Sequence, residues 1–411
     1  MHKILISAYG CEPFIGSESG VGWYWVLEMA RYNKLYVITR LNNKNKIEAN
    51  IPQEISHNLE FYYYDAPSFF LKLKHGEKGL YFYYMVWQIG IINIIKNILR
   101  KEKIDYTMHL SFGSFWMPTF LPFFKPPFIW GPLGGGDCVP KSFLNTLPLK
   151  DRMIQSSRYL LRATSFINPL IVIPAKKAIT ILARTDDSAL VVPKKYRGKV
   201  RVILETAMSD GIFNIKKEKK SEKIELIYTG RLVPIKNVSS IVVAMNRIPE
   251  NYNIHLTIIG DGPDRKKIEN YIAQNGLTSK ITLVGKMSRA QVLDKLAESD
   301  IYLFPSLHEG GSWALMEAMA IGLPVICLDC TGMHTITSDE SAIRIKPNGL
   351  NDFIKNVSKN ICYLIDNPEK IDLIGSNAKV RIAEHFRWID KGIFMEKLLQ
   401  ELDGNEQVRL K

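Results

Sequence analysis

Cysteine is scarce in this sequence, with five residues among 411, an odd number scattered through mostly apolar segments. That pattern fits a reducing compartment better than a disulfide framework. Cys327 and Cys330 form a Cys-x-x-Cys at the end of a predicted strand. Because no second cysteine pair or histidine pair completes a zinc site, we expect them to serve packing. The first apolar stretch is far shorter than the core of a signal peptide, so we expect a cytoplasmic protein.

Long apolar runs are also missing. Polar residues interrupt the segment Leu80–Leu99, which therefore predicts a buried or interfacial helix rather than a membrane-spanning one. No low-complexity stretch or repeat is present. The length, with 46% hydrophobic and 23% charged residues, predicts two α/β domains of ordinary size.

Acidic residues are few in the first half of the chain. Residues 1–205 hold 27 lysines and arginines against 15 acidic residues, which accounts for +12 of the net charge of +13. Between Lys141 and Lys177, seven basic residues face only Asp151 and alternate with leucines and aromatic residues. This segment predicts either contact with an anionic membrane surface or an ordinary solvated helix face. No nucleic-acid-binding motif accompanies the charge, so nucleic acid is not an expected partner.

Short β-branched or aromatic runs recur with room for a helix between them, which predicts parallel, doubly wound sheets. The charged segment 208–223 lacks a strand pattern and predicts a linker between residues 1–207 and 224–385. A helix over 386–411 is expected to cross back onto the first domain. The strands predicted are 3–7, 35–39, 59–64, 106–110, 128–130, 178–182 and 200–204 in one sheet, and 224–228, 254–259, 281–284, 301–304, 324–328 and 342–345 in the other.

Ligands of open α/β sheets bind beyond the carboxyl ends of the strands, so the chemistry should lie in the loops that follow strands. One such loop lies within Tyr228–Asn237 and holds Arg231 and Lys236. Arginine offers a planar fork of donors and lysine a mobile point charge, and the two together suit a diphosphate.

A second loop, within Phe304–Ala320, leads from a strand into a helix that begins near Trp313. The backbone N–H groups at this helix start, near Gly311, Ser312 and Trp313, favour a bound anion. Glu309 in the loop and Glu317 in the helix can accept hydrogen bonds from sugar hydroxyls. Glu317 sits among apolar neighbours, where an unpaired carboxylate is costly, and this favours a functional role over a surface one.

Several motifs in this order resemble glycosyltransferase family 4, of the GT-B fold. They comprise Gly230-Arg231-Leu232 with Lys236, Gly260-Asp261-Gly262-Pro263, Pro305-Ser306 with Glu309-Gly310, the spacing from Glu309 to Glu317, and Gly322-Leu323-Pro324-Val325-Ile326. The resemblance covers nearly the whole second domain. It implies two Rossmann-like domains that face a cleft.

Carried over by position, the resemblance implies that Arg231 and Lys236 hold the donor diphosphate, with Gly230 in the same motif. Glu309 would contact the sugar, with Gly310 beside it. Glu317 would contact the ribose, and backbone around Met287 would receive the base. The family commonly has glycine where Ser312 stands.

Motifs in the first domain resemble a bacterial envelope-polysaccharide subset of the family. They lie in 9–13, 16–23 and 127–137. Gly20 and Gly22, which open a helix after the first strand, would approach the diphosphate or the acceptor. His109 ends a strand and would orient or deprotonate the acceptor hydroxyl. The alternative is a core histidine whose ring bonds to a backbone carbonyl.

The resemblance implies a retaining, metal-independent hexosyltransferase, and the sequence contains no Asp-x-Asp that could hold a bridging metal. The expected donor is a UDP- or GDP-linked sugar, and the expected acceptor is a glycan or lipid-linked glycan of a bacterial cell surface. No further cofactor is expected, and the enzyme is expected in the cytoplasm or at the inner face of the membrane. A nucleotide-sugar epimerase of the same architecture and a non-catalytic scaffold of a polysaccharide assembly complex remain alternatives.

Overall fold

The structure is a computed structural model and describes residues 1–16, 18–72, 79–218 and 223–409. Ser17 of the predicted glycine-rich loop, residues 219–222 of the predicted linker and residues 410–411 of the predicted last helix lie outside these ranges. The chain divides into two compact units. The first comprises Met1–Gly136, Arg162–Glu205 and Trp388–Lys411, and the second comprises Asp137–Leu161 and Thr206–Arg387.

The first unit is built on a parallel sheet whose strands occur in the order β3-β2-β1-β4-β5-β6-β7. Its central strands are buried along nearly their whole length, as expected for strands covered on both faces, whereas the two edge strands are partly exposed. The strands are β1 (Lys3–Ala8), β2 (Lys34–Arg40), β3 (Leu59–Tyr64), β4 (Tyr106–Ser111), β5 (Phe128–Leu133), β6 (Ala178–Ala183) and β7 (Val200–Val202). The helices that precede β7 along the chain are α1 (Glu18–Ala30), α2 (Lys44–Glu48), α3 (Ser68–Lys72), α4 (Leu80–Gly90), α5 (Ile92–Lys101), α6 (Leu149–Ala163), α7 (Pro169–Lys177) and α8 (Asp186–Ala189). Most of α6 clusters with the second unit.

The second unit has its own parallel sheet, in the order β10-β9-β8-β11-β12-β13. Its strands are β8 (Ile224–Thr229), β9 (Ile254–Ile259), β10 (Ile281–Gly285), β11 (Ile301–Phe304), β12 (Val325–Leu328) and β13 (Ala342–Ile345). The remaining helices are α9 (Val238–Met245), α10 (Arg265–Gln274), α11 (Arg289–Ala297), α12 (Trp313–Ile321), α13 (Thr331–Ile336), α14 (Leu350–Asp366), α15 (Pro368–His385) and α16 (Trp388–Arg409). The predicted pair of doubly wound sheets is confirmed.

Helix α16 returns to the first unit, as predicted, and packs along α1. The ring of Trp388 stacks on that of Tyr24 with 4.7 Å between their centroids. A methyl group on Gly392 would lie 2.6 Å from the carbonyl oxygen of Glu28, so glycine is needed where the two helices come closest. This packing gives the last helix a fixed place on the first unit.

The chain passes between the units at Gly136–Asp137, Leu161–Arg162, Glu205–Thr206 and Arg387–Trp388. The described part of the predicted linker 208–223 clusters with the second unit, where Met208 and Ile212 are buried. The segment Asp137–Leu161 differs from the prediction, since it clusters with the second unit although the predicted boundaries put it in the first. Burial explains the difference: Phe143 is fully buried and its ring lies 6.3 Å from that of Phe353 on α14.

Among the described residues, none of the helices combines the length and the apolar character needed to cross a bilayer. The interrupted apolar segment Leu80–Leu99 forms parts of two helices, α4 and α5, which meet at Ile91.

Candidate functional site

The strand order of the second sheet reverses direction between β8 and β11: β9 and β10 lie on one side of β8, and β11, β12 and β13 lie on the other. This place is the switch point of the sheet. Loops that leave neighbouring strands at such a point diverge and leave a crevice for ligands. Arg231 and Lys236 follow β8, and Glu309 follows β11. Two strands that are 70 residues or more apart in sequence thus bring the predicted residues to one edge of the sheet.

Lys236 and Glu309 form an ion pair across this switch point, between Nζ and Oε1. Both side chains are largely buried, at 16% and 12% exposure. The backbone reinforces the contact, because the Leu307 N–H donates to the Ile235 carbonyl oxygen at 2.9 Å. A lysine and a carboxylate are therefore held side by side in a place where solvent screens them little.

The loop that carries Arg231 is fixed by close backbone packing. A methyl group on Gly260 would lie 1.8 Å from the carbonyl oxygen of Gly230, and Gly230 itself has a φ of 154°. The Tyr228 hydroxyl donates to the Arg231 carbonyl oxygen at 3.2 Å. The backbone is thus held while the Arg231 side chain stays exposed to solvent.

Helix α12 begins where the sequence predicts, at Trp313, and Ser312 caps it. The Ser312 hydroxyl accepts from the Leu315 N–H at 3.3 Å, and its backbone is extended, with φ −94° and ψ 106°. Serine is a favoured N-cap, so this position does not need the glycine that the family commonly has.

Gly311 and Gly332 allow segments that are distant in sequence to pack closely around the start of α12. A methyl group on Gly311 would lie 2.1 Å from Oγ1 of Thr206, and a methyl group on Gly332 would lie 1.7 Å from the Gly310 carbonyl oxygen. These contacts leave no room for larger side chains. They fix the position of the helix N-terminus relative to the loops around it.

Glu317 is buried, with 7% exposure, as its apolar neighbours predict. Its Oε1 accepts from Nε of Arg289 at 2.7 Å. Burial raises the pKa of the Glu317 carboxyl, and the adjacent Arg289 guanidinium opposes that rise. Arg289 is the first residue of α11 and follows Met287, the half-buried residue predicted at the base, by two positions. Arg289 thus contacts Glu317, the residue predicted at the ribose, and lies two positions after Met287, the residue predicted at the base. Arg289 itself was not predicted from the sequence.

Thr331 is a second residue that sequence reasoning missed. It adopts a φ of 48°, which is uncommon for a β-branched residue, and its Oγ1 accepts from the Glu309 N–H at 3.2 Å. The Gly332 N–H donates to the Glu309 carbonyl oxygen at 3.0 Å. The loop after β12 therefore holds the Glu309 backbone on both sides, and no local sequence signal announces this contact.

In the first unit, Gly20 and Gly22 lie in the first turn of α1, where the space beside each is filled by backbone. A methyl group on Gly20 would lie 1.8 Å from the Ile15 carbonyl oxygen, and one on Gly22 would lie 1.9 Å from that of Gly10. Both glycines are needed for this packing. Their approach to a ligand stays a prediction.

His109 lies on β4 and is fully buried. Its Nε2 is 3.0 Å from the Phe112 carbonyl oxygen and donates to it, which leaves Nδ1 as the unprotonated nitrogen. Burial lowers the pKa of His109 to about 4, so the ring is neutral at physiological pH. This bond matches the alternative of a core histidine, and a catalytic role for His109 stays a prediction.

A polar cavity of about 190 Å³ opens beyond the ends of β1, β2 and β4, at the switch point of the first sheet. Glu12, Glu18 and Arg40 line it, together with the rings of Tyr9 and Phe112. Burial raises the pKa of Glu18, although its carboxylate accepts the N–H of Gly113. The cavity offers both charged and aromatic groups to a ligand.

A larger hollow of about 1000 Å³ lies in the second unit between α9, α10, α14 and residues 146–148. It includes none of the predicted site residues, although Pro234 and Asn237 flank Lys236 along the chain. Size alone does not identify a site. The charged groups that suit a nucleotide meet at the switch point instead.

Comparison with known proteins finds similarity to glycosyltransferases. Residues 212–381 match the family model described as glycosyl transferases group 1. The matched residues lie in the second unit, which is thus similar to group 1 glycosyl transferases. An uncharacterized glycosyltransferase of Methanocaldococcus jannaschii is 30% identical to this chain over 201 residues, which are 48% of this chain and 49% of that protein. The MMP alpha-(1->4)-mannosyltransferase of Mycolicibacterium hassiacum is 25% identical over 158 residues, 38% of each chain. The chain thus spans about half, or less, of the length of these glycosyltransferases.

Solved structures extend the likeness of fold to nearly the whole chain. Sucrose-phosphate synthase of Thermosynechococcus elongatus has a TM-score of 0.65 at 16% identity, covering 98% of this chain and 100% of that one. Anabaena Alr3699/HepE in complex with UDP has a TM-score of 0.62 at 13% identity, with the same coverage. These likenesses confirm the GT-B fold predicted for the chain.

Proposed function

We propose that this protein is a retaining glycosyltransferase that moves a sugar from a UDP- or GDP-linked donor to a glycan or lipid-linked acceptor in bacterial cell-surface polysaccharide biosynthesis. The observation that supports it most is the Lys236–Glu309 ion pair at the switch point of the second sheet. A phosphate-binding cation and a hydroxyl-binding carboxylate are what a nucleotide sugar requires at neighbouring positions. The structural neighbour HepE, which has been crystallised with UDP and with UDP-glucose, supports a nucleotide-sugar donor.

Cleavage of the sugar–phosphate bond places negative charge on the leaving diphosphate while the sugar carbon becomes cationic. Fixed positive groups at the diphosphate therefore stabilise the transition state more than the bound donor. Lys236, the exposed Arg231 and the N-terminus of α12 would supply that charge. Glu309 would hold a sugar hydroxyl and Glu317 the ribose, while the departing phosphate assists deprotonation of the acceptor and the anomeric configuration is retained.

Acceptor binding is assigned to the first unit under this proposal. Its polar cavity presents Glu12, Glu18 and Arg40 beside aromatic rings, which is a suitable set for sugar hydroxyls and sugar faces. His109 is proposed to orient the acceptor hydroxyl. We also propose peripheral contact with an anionic membrane through Lys141–Lys177, in which Leu149 and Met153 of α6 are about 70% exposed beside Lys150 and Arg152.

The test is to replace Glu309 or Lys236 by alanine and to measure release of nucleoside diphosphate and transfer of labelled sugar. A thermal-shift screen against UDP, GDP and their common sugars first selects the donor. We expect either substitution to abolish transfer and leave the fold intact. Glu298→Ala is a matched control, because Glu298 is not a predicted site residue and also pairs with a lysine, Lys295, at 2.7 Å. Near-normal activity in Glu309→Ala or Lys236→Ala would refute the assignment.

The same assays separate the alternatives. An epimerase would convert the donor sugar, or release it, in the absence of acceptor. A scaffold would bind no donor at all. Donor binding together with acceptor-dependent transfer supports the proposed function over both.

A further inference from the structure

Helix α4 of the first unit is apolar around its whole circumference. Its inner side packs into the core through Tyr83, Tyr84 and Trp87, all fully buried. The polar atoms on this side are used internally: the Tyr83 hydroxyl donates to Asp65 at 2.8 Å, and Trp87 Nε1 donates to the Tyr64 carbonyl oxygen at 2.8 Å. The inner side accounts for the stability of the helix in the fold.

The outer side of α4 is equally apolar but faces solvent. It consists of four large side chains, Tyr81, Phe82, Met85 and Ile89, which are 62%, 47%, 46% and 57% exposed. Phe69 on α3 is 66% exposed, and its neighbour Phe70 lies 6.2 Å from the Phe82 ring. An apolar face of this kind on a helix that has no charged residue is typical of an element that is buried against a further surface.

The charge around this face indicates what that surface is. The adjoining α5 carries Lys96, Arg100 and Lys101, all exposed, and has no acidic residue. A second copy of the chain would bring like charges together, whereas an anionic lipid surface complements them. With 11 residues, α4 is about 16 Å long and too short to cross a bilayer, so it would lie in the plane of the membrane.

We propose that the outer face of α4 inserts into the interface of an anionic membrane and docks the first unit there. This surface is separate from Lys141–Lys177 and does not depend on the donor site. It adjoins the polar cavity, since Leu80 and Phe112 line that cavity and the Tyr81 ring lies 5.9 Å from the Phe112 ring. A bilayer held on α4 therefore brings lipid headgroups to the mouth of the cavity.

The test is co-sedimentation of the full chain with vesicles of phosphatidylcholine and phosphatidylglycerol, compared with vesicles of phosphatidylcholine alone. The variant is Met85→Ser/Ile89→Ser, and the matched control is Leu373→Ser/Val380→Ser on α15, where both side chains are 51% exposed. We expect the α4 variant to partition at least ~10-fold more weakly than the wild type, and the control to be unchanged. Unaltered melting temperature and nucleotide binding in both variants show that the fold and the donor site are intact.

Two results would overturn the proposal. One is equal partition of the α4 variant and the wild type, or no partition of the wild type into anionic vesicles. The other is a wild-type dimer in light scattering that Met85→Ser/Ile89→Ser converts to a monomer, because the face would then bind a second copy. If Met85→Ser/Ile89→Ser does not fold, Phe82→Trp in the otherwise native chain replaces it. Tryptophan fluorescence that rises and shifts to the blue when anionic vesicles are added supports the proposal. An unchanged spectrum contradicts it.

Discussion

Arg289 provides the sharpest quantitative prediction, because it is the ionic partner that the structure gives to the buried Glu317. Replacement of Arg289 by glutamine leaves the carboxylate without its cation. A hydrogen bond to a charged group contributes about 1.5 to 3 kcal/mol. Because the Arg289 side chain is 62% exposed, solvent screens the pair and the lower end applies. We therefore expect nucleotide affinity to fall by about 1 to 2 kcal/mol, or ~5- to 30-fold.

The pH dependence has a defined sign. Burial already raises the pKa of Glu317, and Arg289 opposes that shift. Without Arg289 the pKa rises further, so the carboxylate becomes protonated at a higher pH and loses its capacity to accept from two ribose hydroxyls. Nucleotide affinity in Arg289→Gln should therefore fall more steeply than in the wild type as the pH is lowered.

Isothermal titration calorimetry with UDP and GDP between pH 6 and 8 measures both effects. Arg289→Lys should restore part of the affinity. Lys295→Gln is the control, since Lys295 lies on the same helix but pairs with Glu298. Equal affinity of Arg289→Gln and the wild type across the pH range would show that Arg289 does not position Glu317 for the nucleotide.

Two further predictions concern packing and charge. Gly332→Ala should lower the free energy of unfolding by about 1 to 3 kcal/mol and weaken nucleotide binding, because its methyl group would meet the Gly310 carbonyl oxygen at 1.7 Å. Denaturant unfolding measures the loss, with Gly211→Ala as the control because no atom lies within 4 Å of a methyl group there. Equal stability of the two variants would contradict the prediction. Lys150→Glu/Arg152→Glu should weaken binding of the protein to anionic vesicles, and binding of the wild type should fall with added salt. Vesicle binding that is absent or insensitive to salt would refute a role for Lys141–Lys177.

The strands were predictable because buried parallel strands are short runs of β-branched and aromatic residues, which the helices between them interrupt. Strand β9 has the predicted bounds, Ile254–Ile259. Strand β5 was predicted to end at Trp130, yet it continues through a glycine and a proline to Leu133. A register shift between Trp130 and Leu133 accommodates them in the ladder with β6.

The contacts around the site were less predictable, because they join residues that are distant in sequence. Nothing local in Arg289 marks it as the partner of Glu317, 28 positions further on, and the Thr331 contact to Glu309 depends on how two loops meet. The place of Asp137–Leu161 in the second unit likewise depends on the contact between Phe143 and Phe353, which lie 210 positions apart. Hydrophobic patterns and secondary-structure propensities describe neighbouring residues, whereas these contacts depend on how distant segments pack in the fold.

The central claim is that the switch point of the second sheet binds the diphosphate of the donor through Lys236. Calorimetric titration of the wild type and Lys236→Ala with the nucleoside diphosphate selected by thermal shift tests it directly. We expect saturable binding to the wild type and about 10- to 100-fold weaker binding to the variant, the loss typical of a charge-assisted contact, with circular dichroism showing that the variant is folded. Its melting temperature should fall, because Glu309 loses its buried cationic partner. Equal affinity of the two proteins would contradict the claim.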